Sequence, residues 1–256
     1  MLIDSHAHYD DGRFDGDRDE AIALARSAGV DMIINAASDV ASSEAALALA
    51  TKYDFFRALA GVHPHEAEKE LKDPDFPDKI AKLLENEKTV AIGEIGLDYY
   101  YDLSERDLQK RVFIMQMELA KKLKVPVVIH TRDAIGDTVD ILRRYPGVTG
   151  VVHSFSGSAE MLDEILKMGY YVSLGGIVTF KNARLPVEVA RLCPKDRLLL
   201  ETDCPYLTPV PHRGERNGSH FIRYTAQQIA EIRKEDTEEL INTCAENTLR
   251  AFNIKI

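Results

Sequence analysis

Six histidines and three acids stand where short apolar runs of this chain give way to polar residues. "LIDSHAHYD" carries His6 and His8, and "GVHPH" carries His63 and His65. Glu94 lies in "GEIGLD", His130 in "VVIHT", His153 in "VVHSF", and Glu201 and Asp203 in "ETDCP". Imidazoles mixed with carboxylates suit zinc, manganese or another divalent first-row ion, whereas an all-oxygen set would point to calcium or magnesium. A carboxylate has two oxygens, so Glu94 can bridge. The set His6, His8, Glu94, His130, His153 and Asp203 is therefore expected to serve two divalent ions. Side chains two apart on a strand share a face, which lets His6 and His8 aim at one ion while Ala7 points away. A lone H-x-H needs no such explanation; its recurrence alongside acids at several strand ends does.

The elements that must position these groups alternate. Strand candidates are "LIDSH", "DMIINAA", "FRALAGV", "TVAIGEIG", "VPVVIHT", "TGVVHSF", "YYVSLGG" and "RLLLETD". Between them the spacing predicts helices over 18–28, 41–53, 76–87, 105–123, 135–145, 159–168 and 186–192, followed by 222–234 and 237–252. Ser104 with Asp107 reads as a helix start, Thr237 as the cap of the last helix, and Gly29 and Gly169 as helix stops. Strict alternation implies right-handed crossovers and a parallel sheet covered on both faces. Eight such units in roughly 250 residues predict a (β/α)8 TIM barrel, with one additional C-terminal helix and a single domain over 1–256. An open doubly wound sheet is disfavoured because the first strand-to-helix turn has no glycine fingerprint. In a barrel the reactive face is the C-terminal end of the strands, where these histidines and acids fall.

Composition bounds the function. The 256 residues carry a formal net charge of -10, no long apolar run and no basic-then-apolar N-terminal stretch, so a soluble cytoplasmic enzyme is expected. The three cysteines, Cys193, Cys204 and Cys244, lack the close pairing of a zinc ribbon or redox motif. Net acidity argues against coating nucleic acid with the whole surface. Residues 181–223 nevertheless hold eight Lys and Arg against five acids, so an anionic substrate fits this segment.

At these residues the chain resembles the TatD family of metal-dependent deoxyribonucleases, within the amidohydrolase-like barrels. The resemblance is carried by "DSHAHYD", "AGVHPHEA", "AIGEIGLDYYYD", "IHTRDA", "VVHSFSGS", "SLGG", "LLLETDCPYLTPVPHRGERN" and "AENTLRAF", and spans nearly the whole chain. It implies two divalent ions, one held by His6, His8, Glu94 and Asp203 and the other by Glu94, His130 and His153. It also implies DNA as substrate and a phosphate contact from His63. Related barrels such as dihydroorotase bridge their metals with a carboxylated lysine; the matching strand here offers Glu94 and no lysine nearby. Where many relatives read RGK-x-N-x-P, this chain reads "RGERNGSH", so acidic Glu215 replaces a base while Arg213 and Arg216 remain.

Together these readings assign Asp203, Glu94 and His63 to catalysis, with Asp203 orienting the attacking water. His63, His65, Arg132, Arg213 and Arg216 are assigned to substrate contacts, and Glu201 to steadying a ligand histidine, because metal-bound imidazoles usually donate their other N–H to an oxygen. The simpler expectation for Arg132 is an ion pair with Asp133 or Glu94. Tyr99, Phe155, Phe180 and Tyr206 are the aromatics expected near the rim as candidates to stack bases. The expected reaction is exonucleolytic hydrolysis of DNA strand ends, with no membrane and no obligate protein partner. Two alternatives keep the metal centre: hydrolysis of a small phosphoester, ester or amide, and a non-catalytic, metal-stabilised binding protein.

Overall fold

The computed structural model describes residues 1–255. Eight strands form one parallel sheet in sequential order: β1 (Ile3–Ala7), β2 (Met32–Asn35), β3 (Phe56–Ala60), β4 (Thr89–Asp98), β5 (Val127–Arg132), β6 (Gly150–Val152), β7 (Tyr171–Leu174) and β8 (Leu198–Leu200). The sheet closes on itself beyond β8. Ala7 bridges Cys204 in parallel, the His8 N–H donates to the Cys204 carbonyl, and the Asp203 N–H donates to that of His6. This is the (β/α)8 barrel the alternation predicts.

The helices are α1 (Arg18–Ser27), α2 (Val40–Lys52), α3 (Ala67–Glu70), α4 (Phe76–Leu83), α5 (Arg106–Leu123), α6 (Ile135–Leu142), α7 (Ala159–Lys167), α8 (Arg184–Leu192), α9 (Ile222–Arg233) and α10 (Thr237–Ala251). Both α9 and α10 follow β8, so α10 is the additional helix. Local chemistry sets the ends. Asp39 and Ser42 form a reciprocal capping box at α2, and Gly29 and Gly169 supply left-handed backbone just past α1 and α7. Two expected caps shift. Asp236, not Thr237, accepts the Glu238 and Glu239 N–H groups at α10, because a carboxylate one residue earlier reaches both. Ser104 does not cap α5; its hydroxyl donates to the His65 carbonyl and accepts the Glu68 N–H. Among the described residues, no helix is long and apolar enough to cross a membrane.

The barrel interior is layered. Ile34, Leu59, Ala91, Val128, Val151 and Leu199 form an apolar lower layer with Ala251 and Phe252 from the end of α10, separate from the larger core between strands and helices. Continuing up the same strand faces in steps of two brings His130 above Val128, His153 above Val151, and Glu201 then Asp203 above Leu199. On β4 this parity fails by one. From Ile92 to Ile95 the strand advances three residues while β5 advances two, Val127 to Ile129. The extra residue flips the inward set from odd to even positions, which delivers Glu94 to the mouth above Ala91.

Candidate metal centre

Glu94 sits at the middle of the mouth, its side chain 4 % exposed. Its two oxygens face different groups. Oε2 lies 3.3 Å from His6 Nε2 and 3.6 Å from His8 Nε2, while Oε1 lies 2.7 Å from both His130 Nδ1 and His153 Nε2 and 3.5 Å from His63 Nε2. Asp203 completes the first group, with Oδ1 3.3 Å from His8 Nε2 and 3.8 Å from His6 Nε2. His6, His8 and Asp203 thus present ligand atoms to one point, while Glu94 lies within ligand spacing of His6 and His153 and, separately, of His63 and His130.

The ring nitrogens meet in pairs that make poor hydrogen bonds but good ligand sets. His6 Nε2 and His8 Nε2 are 3.2 Å apart, as are His130 Nδ1 and His153 Nε2. Ligands about 2.1 Å from one ion are separated by about 3.0–3.4 Å along the edges of an octahedron or tetrahedron. The spacing of these donors therefore fits divalent cations. His6 Nδ1 and His153 Nδ1 are buried and have no hydrogen-bond partner, so no protein acceptor competes to turn either ring away from the centre.

Electrostatics agree with a site built to hold positive charge. Burial opposes ionisation of Glu94, but His153, His63 and His6 and the hydrogen bond to His130 hold its carboxyl well below the usual range. Burial likewise disfavours a charged His8, yet Asp203, Glu94 and Asp10 raise it to about 9. His63 is kept well below its ordinary value by burial and by the neighbouring imidazoles, against the pull of Glu94. Its Nδ1 accepts the His65 N–H at 3.2 Å, so the neutral ring carries its proton on Nε2, facing the centre.

The supporting layer differs from the expectation. Asp98 is fully buried and was not among the expected site residues. Its Oδ2 lies 2.9 Å from His65 Nε2 and 3.2 Å from His130 Nε2, while Oδ1 accepts the Tyr100 and Tyr101 N–H groups at 2.9 Å each. These contacts fix His130 with Nδ1 toward Glu94. Glu201 is directed mainly at β6 and β7: it accepts the Ser154 N–H at 2.8 Å and the Ser173 hydroxyl, and stands 3.8 Å from His153 Nδ1, beyond a hydrogen bond. Behind His6, Asp4 accepts from Thr202 N, Thr202 Oγ1, Ser219 Oγ and the His6 N–H; burial pushes its carboxyl up to about 7 against those bonds.

The arginines divide. Arg132 pairs with neither Asp133 nor Glu94; its guanidinium lies 4.1 Å from the Tyr100 ring centre and 4.6 Å from that of Tyr101. Arg213 covers Phe180 at 3.8 Å and donates to the Thr208 carbonyl. Arg216 is committed to a bidentate pair with Asp17 and to the Arg13 carbonyl, which turns it away from a substrate role. Glu215, the acid in place of a base, pairs with His212. Of the expected stacking aromatics, Phe155 is 1 % exposed, Tyr99 bonds Asp137, and Tyr206 is 40 % exposed.

A parallel eight-stranded barrel with imidazoles and acids gathered over its C-terminal mouth has the layout of a metal-dependent TIM-barrel hydrolase. Within that class the chain belongs to the TatD family: residues 3–253 match the family described as TatD related DNase. It is 44 % identical over 256 residues to the uncharacterized metal-dependent hydrolase YabD of Bacillus subtilis, covering 99 % of this chain and all of that one. The crystal structure of YjjV, a TatD homolog from Escherichia coli, superimposes with a TM-score of 0.92 at 32 % identity, covering 99 % of this chain and 98 % of the other. A TatD family hydrolase from Entamoeba histolytica shares the fold, with a TM-score of 0.90 at 24 % identity over all of this chain and 99 % of that one.

Proposed function

We propose that this protein is a divalent-metal-dependent hydrolase that cleaves DNA phosphodiester bonds, acting from strand ends. The observation that carries the reading is the division of Glu94: one carboxylate oxygen faces His6 and His8, the other His130, His153 and His63. That arrangement fits two ions, one bounded by His6, His8, Glu94 and Asp203 and the other by Glu94, His130 and His153. Membership of a family described as DNases supplies the substrate class. Divalent ions bound there lower the pKa of water toward neutrality and neutralise charge on a phosphate.

The protein groups do the rest. Asp203, with its side chain 15 % exposed, is the most accessible acid of the centre and takes the proton from the attacking water. It sits at a φ of 57°, a left-handed conformation that Asp tolerates, held by its N–H to the His6 carbonyl. His63 donates its Nε2–H to a phosphate oxygen as negative charge develops there. His65, tied to Asp98, and the guanidinium groups of Arg132 and Arg213 lie outward as further donors. Few free cations surround the mouth, which favours a short phosphate contact and hence ends over internal positions of a duplex.

The test is degradation of end-labelled oligonucleotides by metal-loaded protein, beside His153→Ala, Asp203→Asn and closed circular DNA. Loss of a ligand or of the proton acceptor should slow cleavage by about 100-fold or more. Variants that cut as fast as the parent would remove these residues from the reaction; equal cleavage of circles would remove the preference for ends.

A further inference from the structure

The rings at the mouth form one continuous row. From Tyr206 it runs to His8 (6.3 Å between ring centres), His6 (4.9 Å), His153 (3.9 Å), His130 (5.5 Å), His63 (4.6 Å), His65 (4.3 Å) and Tyr101 (5.6 Å). Both ends finish in the same pairing. Arg13 lies 4.5 Å over Tyr206 on the β8 side, and Arg132 lies 4.6 Å over Tyr101 on the β4–β5 side. Tyr206 and Tyr101 are 40 % and 53 % exposed, and beside the latter Tyr100 is 59 % exposed.

The exposed rings carry a structural cost, of which the Tyr206 hydroxyl recovers part by donating to Asp11 at 2.7 Å. Large aromatic faces left in water forgo burial, and Tyr100 and Tyr101 are held outward by the bonds from their N–H groups to buried Asp98. Among the described residues neither Arg13 nor Arg132 forms an ion pair, whereas Arg18, Arg106, Arg143, Arg216 and Arg223 each do. An arginine plane layered on an aromatic ring, exposed and without a counter-ion, offers a flat face together with a charge for a neighbouring phosphate.

We propose that Tyr101 with Arg132, and Tyr206 with Arg13, are base-stacking platforms that grip the nucleotides on either side of the scissile phosphate. The inference rests on the nuclease reading above and adds a requirement to it: an unpaired base on each flank, recognised by its face and not by its hydrogen-bonding edge. Stacking tolerates every base, so the platforms select for unstacked strands and not for sequence.

The test pairs protein variants with altered substrates. Metal-loaded parent, Tyr101→Ala, Tyr101→Phe and Tyr206→Ala are given a single-stranded oligonucleotide and the same strand with abasic sites flanking the scissile phosphate. Each Ala substitution should lower kcat/KM on the base-bearing strand by about 5- to 100-fold, chiefly through KM, with Tyr101→Phe retaining the parent rate. The parent should lose a similar factor on the abasic strand, where the Ala substitutions add less than about threefold more. Equal losses on both strands would make the tyrosines structural, and unchanged KM on the base-bearing strand would overturn the platforms while leaving the nuclease reading intact. If the parent cuts neither strand, the nuclease reading fails by itself. Anisotropy titration with the two labelled strands then decides the platforms: tighter binding of the base-bearing strand, lost in Tyr101→Ala, supports them, and equal binding overturns them.

Discussion

Replacing Asp98 by asparagine separates holding a ligand from being one. The carboxylate makes four contacts: Oδ1 with two backbone N–H groups at 2.9 Å, and Oδ2 with His65 Nε2 at 2.9 Å and His130 Nε2 at 3.2 Å. An asparagine oxygen in the Oδ1 position keeps both backbone bonds, so the turn after β4 should survive. The NH2 group then faces two imidazole nitrogens with donors where they had an acceptor. His130, whose Nδ1 points at Glu94, loses the partner that fixes its ring and tautomer. Losing such a partner typically costs 10- to 100-fold in metal affinity, or about 1.4–2.7 kcal/mol. His6 and His8 lie on the Oε2 side of Glu94, away from His130, so on the proposed two-ion reading only one of two binding steps should weaken. Calorimetric titration of the metal-free protein with zinc or manganese, with circular dichroism to confirm folding, reads this directly. Two unaltered steps would show that Asp98 does not position His130; equal weakening of both would show a collapse of the whole mouth.

Two further outcomes follow from the geometry. Gly96→Ala should destabilise strongly, since a Cβ there would lie 2.0 Å from the His130 carbonyl oxygen at a φ of +142°; overpacking of about 1–3 kcal/mol or more predicts a Tm lower by about 2–12 °C, and an unchanged melting curve would contradict the close approach of β4 to β5. His8, raised to about 9, must shed a proton to bind an ion, so metal affinity should rise with pH up to about 9 with proton release, and a flat affinity over that range would refute it. The same sign makes the metal-free protein lose stability as pH rises through about 9, because a raised basic group stabilises the fold only while protonated.

Strand-by-strand alternation exposed the barrel in the sequence because parallel strands buried on both faces read as apolar runs. The histidines were visible because each ends such a run. Asp98 was within reach of the same logic: it lies four residues beyond Glu94 on β4, hence on the same face. Nothing in "GEIGLD" itself separates an aspartate that steadies two histidines from one that merely ends a strand. The extra residue that turns Glu94 inward leaves no local mark, since it depends on how β4 pairs with β5. Glu201 illustrates the opposite difficulty. Its strand position points it at the interior, but which neighbour takes its oxygens is decided by Ser154 and Ser173 from other strands. Exposure of Tyr100 and Tyr101 was likewise set by the Asp98 turn and not by their residue type.

The seam where β1 meets the chain beyond β8 has a bearing on timing. His6 and Asp203 are joined through the backbone only when that seam shuts, and Ala7 and Cys204 shut it. Without the segment beyond β8 the chain would hold five of the six proposed ligands and lack Asp203, the proposed proton acceptor. On that proposal the site is complete only once the segment beyond β8 has docked against β1.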